Sequence, residues 1–391
     1  MPLSVTSWFV DQCAALVPTI VRKFTINASD YSSRVTRWPT ISAGWNDLRP
    51  QTVTIGAANE DGAFNFFIDN KTTLTSSCTL KFGFTHPTSG DELTTLFAGT
   101  VDKVGYAKGE CQISLIDRLR QLTQRTIGKS AAPVIWSGAT QLPSHIAWWL
   151  CTSYGGFSAT SGPTNPDIDH ASFLAWAAVF SADTVYMQAR FEGKPVIEGL
   201  RSVGRMTNSA IFMSQGKLAF YRFTNVNTNI TSLDNTSIID LTLSMDDADI
   251  VNRQYVNAAY APASNYWTIT PFDQSAASIN SYGLHEDILK DATVWYVTSV
   301  HALNMAQRIM FTSGQPYERV QVKTPLTSLP MLIGETLLVQ DSMLGIGAGW
   351  RIMEKQINMD DGMIINKIDG SQIADPFLLD TSILDGTDLL L

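Results

Sequence analysis

Residues 24–115 carry short apolar or β-branched runs separated by turn residues. "QTVTIGA", "AFNFFID", "CTLKFGF", "TLFAGTVDKVGY" and "ECQISLI" each read as a strand. The "AKGE" turn between the last two predicts a hairpin. In "DRLRQLTQRTIG" the period changes, and Leu115, Leu119, Leu122 and Ile127 lie near one helical face, with Gly128 as the stop.

Residues 129–235 have another texture. "LPSHIAWWLCTSYGG" predicts a helix opened by Pro143 and closed by Gly155-Gly156. "GPTNPDIDH" is a loop, and "ASFLAWAAVF" a short buried helix. "KPVIEGLRSVGRMTNS" places Pro195 at a first turn and Ile197, Leu200, Val203 and Met206 at helical spacing. "AIFMSQGKLAFYRF" is a hairpin turning at Gln215-Gly216.

From 236 the strand pattern returns in "SIIDLTLSM", "IVNRQYVNAAYAP" and "NYWTITPF". "SVHALNMAQRIMFTSG" is the clearest helix of this part, with Ser299 able to cap it, Leu303, Ala306 and Ile309 or Met310 as its stripe, and Gly314 ending it. "YERVQVKTPL", "ETLLVQDSM" and "GWRIMEKQINMDDGMIINKI" follow, the last with Asp361-Gly362 between two strand-like runs. The end, "ADPFLLDTSILDGTDLLL", alternates apolar clusters with acids and reads as an extended tail that needs a partner surface. The order is therefore a β region (1–128), an α+β insert (129–235), a second β region with one helix (236–370) and a tail (371–391).

Composition narrows the classes. A chain of 391 residues exceeds one ordinary hydrophobic core. With 45% hydrophobic and 16% charged residues it is not of a disordered type. A net charge of −9 disfavours a dedicated nucleic-acid binder, which needs a basic surface to replace counterions, but not a wall that nucleic acid slides past. The N-terminus lacks the basic region of a signal peptide, and Asp11 interrupts its apolar run. No apolar run reaches the length of a membrane span. Cys13, Cys78, Cys111 and Cys151 are far apart without a C-x-x-C. They read as buried free thiols, with a metal or iron–sulfur centre gathered from distant thiols, or disulfides, as alternatives.

Motif tests mostly fail. "AANEDGAFNFFID" (57–69) sets Asn59, Asp61 and Gly62 at the third, fifth and sixth places of a calcium loop. Ala57 and Ile68 occupy the first and twelfth, where oxygen ligands are required, so a tight turn between two strands is the reading. "TQRTIGKS" lacks the first Gly of a phosphate loop, and "HEDIL" lacks the second His of a zinc helix. "GIGAGW" (345–350) lacks dinucleotide spacing and reads as a flexible turn. No nucleophile elbow occurs. His86, His145, His170, His285 and His301 are scattered. The acid pairs Asp246-Asp247 and Asp360-Asp361 could serve glycoside hydrolysis, but acids cluster in turns for structural reasons. No catalytic, cofactor-binding or metal-binding residue is assigned, and the chain is not read as an enzyme.

Taken in order, the stretches resemble the tail hub family of tailed bacteriophages, the baseplate hub or tail-tip attachment proteins. Asn59, Asp61 and Gly62 match its turn; Phe97, Gly99 and Val101 its "Phe-x-Gly-x-Val" strand; Asp117 and Leu119 its "Asp-x-Leu". The later order of "MAQRIM", "RVQVKTPL", "IGETLLV" and "GWRIMEKQIN" also fits. The resemblance implies an α+β, predominantly β fold: two tube-like β-barrel domains with an inserted small α+β domain. It implies a structural virion protein, made in the host cytoplasm, forming a homotrimeric ring at the tail tip or baseplate. Such a ring adapts a six-fold tube to a three-fold central fibre or spike and lines the DNA exit channel. The implied partners are the chain itself, a distal tail protein, a tape-measure protein, a fibre or spike, and DNA passing without specific binding. Some such hubs carry a cysteine-bound iron–sulfur cluster, which the scattered cysteines do not match, and no cofactor is assigned. The alternative is a carbohydrate-binding or glycan-hydrolysing β-rich adhesin or tailspike-like protein.

Gly62→Val impairs folding or ring assembly, read by soluble yield and sedimentation, because turn geometry there calls for a left-handed residue. Calcium chelation leaves the sedimentation of the ring unchanged, and a ring that dissolved through this loop would contradict the reading.

Overall fold

The computed structural model describes residues 5–15, 18–44, 48–69, 75–137, 141–222, 230–234, 236–246, 250–313, 317–341 and 346–369. The tail 371–391 and Gly314 lie outside these residues.

Alternation in the first β region produces one seven-stranded sheet. Its order is Ser29–Asp30, Ile20–Ile26, Ser77–His86, Gly90–Ala107, Glu110–Asp117, Thr52–Ala58 and Val35–Arg37. Every pairing is antiparallel. Phe24, Leu80, Phe82, Ile113, Leu115, Val53 and Ile55 are buried in the core on one face. Thr25 and Thr79 hydrogen-bond to each other on the opposite face, as do Thr54 and Ser114. This is the amphipathic pattern of a sheet with one buried face. Register shifts at Leu80/Lys81 and Val101/Lys103 mark bulges, which bend and twist a sheet into a half-barrel.

The second half-barrel sheet runs Ile230–Leu233, Thr336–Asp341, Ile346–Asn358, Ile364–Asp369, Tyr317–Thr324 and Asp240–Asp246. Its buried face carries Val320, Val322, Leu337, Val339, Trp350, Ile352 and Ile368. A further strand, Thr40–Gly44, comes from the N-terminal β region and pairs antiparallel with Glu354–Asn358. The fold is thus α+β and predominantly β.

Between the sheets in sequence lie helices and small sheets around a third core. Helices Pro143–Trp149, His170–Ala182 and Val196–Met206 contribute Ile146, Phe173, Trp176, Ile197, Leu200, Val203 and Met206 to it. Its five-stranded sheet draws Val134–Trp136 and Met187–Phe191 together with Val294–Tyr296, Ala258–Ala261 and Tyr266–Ile269. Helix Ser299–Ser313 adds Ala302, Met305 and Ala306 to the same core. The expected hairpin is present as Ser209–Ser214 and Lys217–Arg222, with Gln215 and Gly216 both at positive φ.

Four local expectations are corrected. "AFNFFID" is not a strand: Phe66–Asp69 is a short helix. Asn59 Oδ1 accepts from Phe64 N, and Asn65 O accepts from Ile68 N, so side-chain and local backbone bonds carry the chain into a helical turn. The helix expected over 117–128 is only Leu119–Gln124, because Leu115 is fixed in the sheet and Ile127 pairs with Lys194. "ASFLAWAAVF" is buried on one face only, with Phe173, Trp176 and Phe180 inside and Leu174 54% exposed. Residues 346–350 of "GIGAGW" are not a flexible turn; they continue the strand Ile346–Asn358 by pairing with 337–341.

Lys355, on the strand Ile346–Asn358, lies where the two β regions join. This residue is buried, and its Nζ donates to the backbone oxygens of Ser328, Leu329 and Met331, each at 2.7 Å. Three acceptors match the three protons of an ammonium. Asn366 Nδ2 donates to Ser328 Oγ at 2.8 Å, and Thr324 Oγ1 shares a hydrogen bond with the same oxygen at 2.7 Å. The turn so held, Leu326–Ser328 with Leu329, inserts Leu326 and Leu329 into the core of the first sheet.

Burial lowers the Lys355 pKa from 10.5 to about 7, with nearby Glu335 working in the opposite direction. Between about pH 7 and 10.5 the unfolded chain holds a proton that the folded chain has released, so this lysine makes stability rise with pH by up to about 1.4 kcal/mol per unit. That gain is lost as pH falls to about 7, and below it both states hold the proton and the dependence levels off. Urea unfolding across that window checks it. Lys355→Met flattens the rise, and leaving three carbonyls without their donor costs on the order of 3 kcal/mol.

Candidate assembly site

The positions that carried the sequence resemblance have structural tasks. Gly62 sits at φ +72°, and a Cβ there would lie 2.7 Å from the Asn65 side chain. Asp61 Oδ1 accepts from Ala63 N at 3.2 Å and from Arg34 at 2.7 Å. The hydrogen bond from Arg34 is the main cause that lowers the Asp61 pKa. The oxygens that a calcium loop would aim at a cation are engaged by N–H groups and a guanidinium.

Phe97 and Val101 fill the core of the first sheet. At Gly99 a Cβ would lie 2.1 Å from the Ile116 carbonyl oxygen, so only glycine lets the neighbouring strand approach. Asp117 is buried and ties three pieces together. Its carboxylate accepts from Gln51 N at 2.9 Å and from Leu119 N at 3.0 Å, and its own N donates to Gln51 O. The motif thus fixes where the sheet ends and the helix Leu119–Gln124 begins.

The remaining candidate groups are dispersed. Cys13, Cys78 and Cys111 belong to the core of the first sheet and Cys151 to the middle core; all four are free and buried. Burial pushes Cys13 and Cys78 up to about 12, Cys111 to about 11, and Cys151 higher still. Thiols so protonated are poor nucleophiles. His86 Nδ1 accepts from Thr88 N and Ser89 N in a turn. His301 packs by Tyr186 and has its pKa lowered by burial. Asp360 Oδ1 accepts from Trp38 N and Asp361 Oδ1 from Met363 N, so that acid pair serves a turn. Asp247 lies outside the described residues. Among the described residues no three His, Cys, Asp or Glu side chains gather as a metal site, and no helix is long and apolar enough to cross a membrane.

What the structure does assemble is a polar surface over joined sheets. On the solvent side of the second sheet one row runs Asp240, Lys323, Ile365, Gln356 and Ser42, crossing five strands into the N-terminal β region. The first sheet presents Thr54, Ser114 and Lys103 in one row and Lys23 opposite Lys81 in another. The first sheet ends in strands of two and three residues, Ser29–Asp30 and Val35–Arg37. The second ends in the seven-residue strand Asp240–Asp246, whose only ladder partner among the described residues is Tyr317–Thr324. Ile239 at its start is 51% exposed. A long edge with unpaired N–H and C=O groups is a template for another chain. Sequence reading missed this edge, because alternation reveals a strand and not its place in the sheet.

No protein-family model and no curated protein matches the sequence. Solved structures do match the fold. The 43 kDa tail protein of prophage MuSo2 from Shewanella oneidensis superposes with a TM-score of 0.56 at 13% identity, over 90% of this chain and 98% of that one. The tail protein from Neisseria meningitidis MC58 does so with a TM-score of 0.57 at 12% identity, over 90% of this chain and 96% of that one. Over 90% of its length, this chain has the fold of those tail proteins.

Proposed function

We propose that the chain is a structural subunit of a phage tail tip or baseplate, a hub that assembles as a homotrimeric ring on the tail axis. The observation that carries this is the presence of two half-barrel sheets in one chain, joined by the pairing of Thr40–Gly44 with Glu354–Asn358. Three copies would present six such sheets, which matches a six-fold tube on one side and a three-fold fibre or spike on the other. The likeness in fold to two tail proteins, one of them from a prophage, over nearly their full lengths supports the reading. In it, a distal tail protein lies above the ring, a tape-measure protein and then DNA pass through it, and the net charge of −9 keeps DNA from being trapped. The chain acts as architecture and not as an enzyme. The division into residues 1–128, 129–235, 236–370 and 371–391 belongs to the same proposal.

The test is mass and position. In concentrated solution the chain sediments at about three times its 42.9 kDa. Ile239→Glu, at an exposed position beside the open edge, returns it to a monomer while its thermal midpoint stays put, since exposed substitutions shift stability by only about 0.5 kcal/mol. A monomer that hydrolyses a polysaccharide overturns the proposal. So does imaging of assembled particles that finds the chain away from the tail axis.

A further inference from the structure

Helices Pro143–Trp149 and His170–Ala182 flank an open groove of about 820 Å³. Trp136, Trp148, Trp149, Phe173 and Leu174 line it, with His145 among its polar groups. Trp136 and Trp149 stand 4.5 Å apart between ring centres, and Trp148 and Phe173 5.2 Å. Among the described residues, no Lys, Arg, Asp or Glu contributes to the lining.

The helix His170–Ala182 supplies a second observation. Its sequence, HASFLAWAAVFSA, contains no Lys, Arg, Asp or Glu. Phe173, Trp176 and Phe180 satisfy its buried side, yet Ala171, Leu174, Ala175 and Ala178 on the other side are exposed. A helix at a protein surface ordinarily puts charged residues there, and one that is apolar all round is ordinarily covered.

We propose that this groove is the docking site of the chain's own C-terminal segment, residues 371–391. That segment has three apolar clusters, Phe377-Leu378-Leu379, Ile383-Leu384 and Leu389-Leu390-Leu391, and four aspartates with no Lys or Arg. Its apolar clusters match an aromatic groove without charges. Its aspartates can stay at the rim, where exposed His145 and Ser153 offer donors. Length permits the contact. The described chain ends at Asp369, and the remaining 22 residues, 370–391, extend to about 70 Å. A folded chain of this size has a radius of gyration of only about 21 Å, so the groove lies within reach on the same copy or on one beside it. An anionic partner such as nucleic acid would find no cation in the groove.

The experiment compares the full chain with a form ending at residue 370, using a labelled peptide of residues 371–391. The shortened form binds the peptide saturably, and the full chain binds it about ten-fold more weakly because its groove is filled. Leu174→Arg in the shortened form weakens binding by about ten-fold at an unchanged thermal midpoint. In the full chain Leu174→Arg exposes 371–391 to faster proteolysis, a readout that does not require the shortened form to fold. Cross-links from the tail to the groove within one copy or between copies both support the proposal. Equal peptide binding by the Leu174→Arg form, no binding by a folded shortened form, or unchanged proteolysis of the full-length variant overturns it.

Discussion

The two β regions depend on one buried lysine. Lys355 carries its amino group into the joint between them and donates to three carbonyl oxygens of residues 328–331. Taking that group out of water is costly unless its donors find acceptors, and here three carbonyls are in reach. The arrangement is selective as well as stabilising. Only when the Leu326–Ser328 turn comes over the strand Ile346–Asn358 are the three oxygens in reach, and only then do Leu326 and Leu329 enter the first sheet's core. A hydrophobic residue at this position would pack without requiring that turn.

Around this joint a single strand makes most of the connections. Ile346–Asn358 pairs with Thr336–Asp341, with Ile364–Asp369 and with Thr40–Gly44, changing partners along its length with a register shift at Ile352/Glu354. Ladder bonds need no particular side chain, so the strand can bind segments from both ends of the chain while its side chains serve separate cores. Ile352 lies in the second sheet's core and Ile357 in the first sheet's. The hairpin at Gln215-Gly216 steadies the same region from the middle of the chain. Gln215 Nε2 donates to Thr94 at 3.2 Å, and Phe212 packs with Ile333.

Much of the buried polar chemistry serves the joints between elements. Buried polar groups are spent on joints: Asp117 fixes a strand end, Asn252 accepts from His285 N, and Asp291 pairs with Arg205. A long sheet edge and an aromatic groove lie open at the periphery.

Local physics settled much of this from the sequence. Turns at Gln215-Gly216, Gly109 and Gly362 need positive φ, which glycine supplies cheaply, so the hairpins around them were legible. The helix Val196–Met206 was legible because Ile197, Leu200, Val203 and Met206 recur at its period and must share a buried face. The stretch that carried the resemblance was legible too, although its structural task was not: that Asp117 joins Gln51 to Leu119 appears only when the strands are in place. Tertiary structure alone decided the partners. Nothing in residues 40–44 announces pairing with 354–358, nor in 258–296 a place beside 134–191. A period of two says that a segment has a wet face and a dry one. Which edge it joins depends on the shape of surfaces brought together from distant parts of the chain.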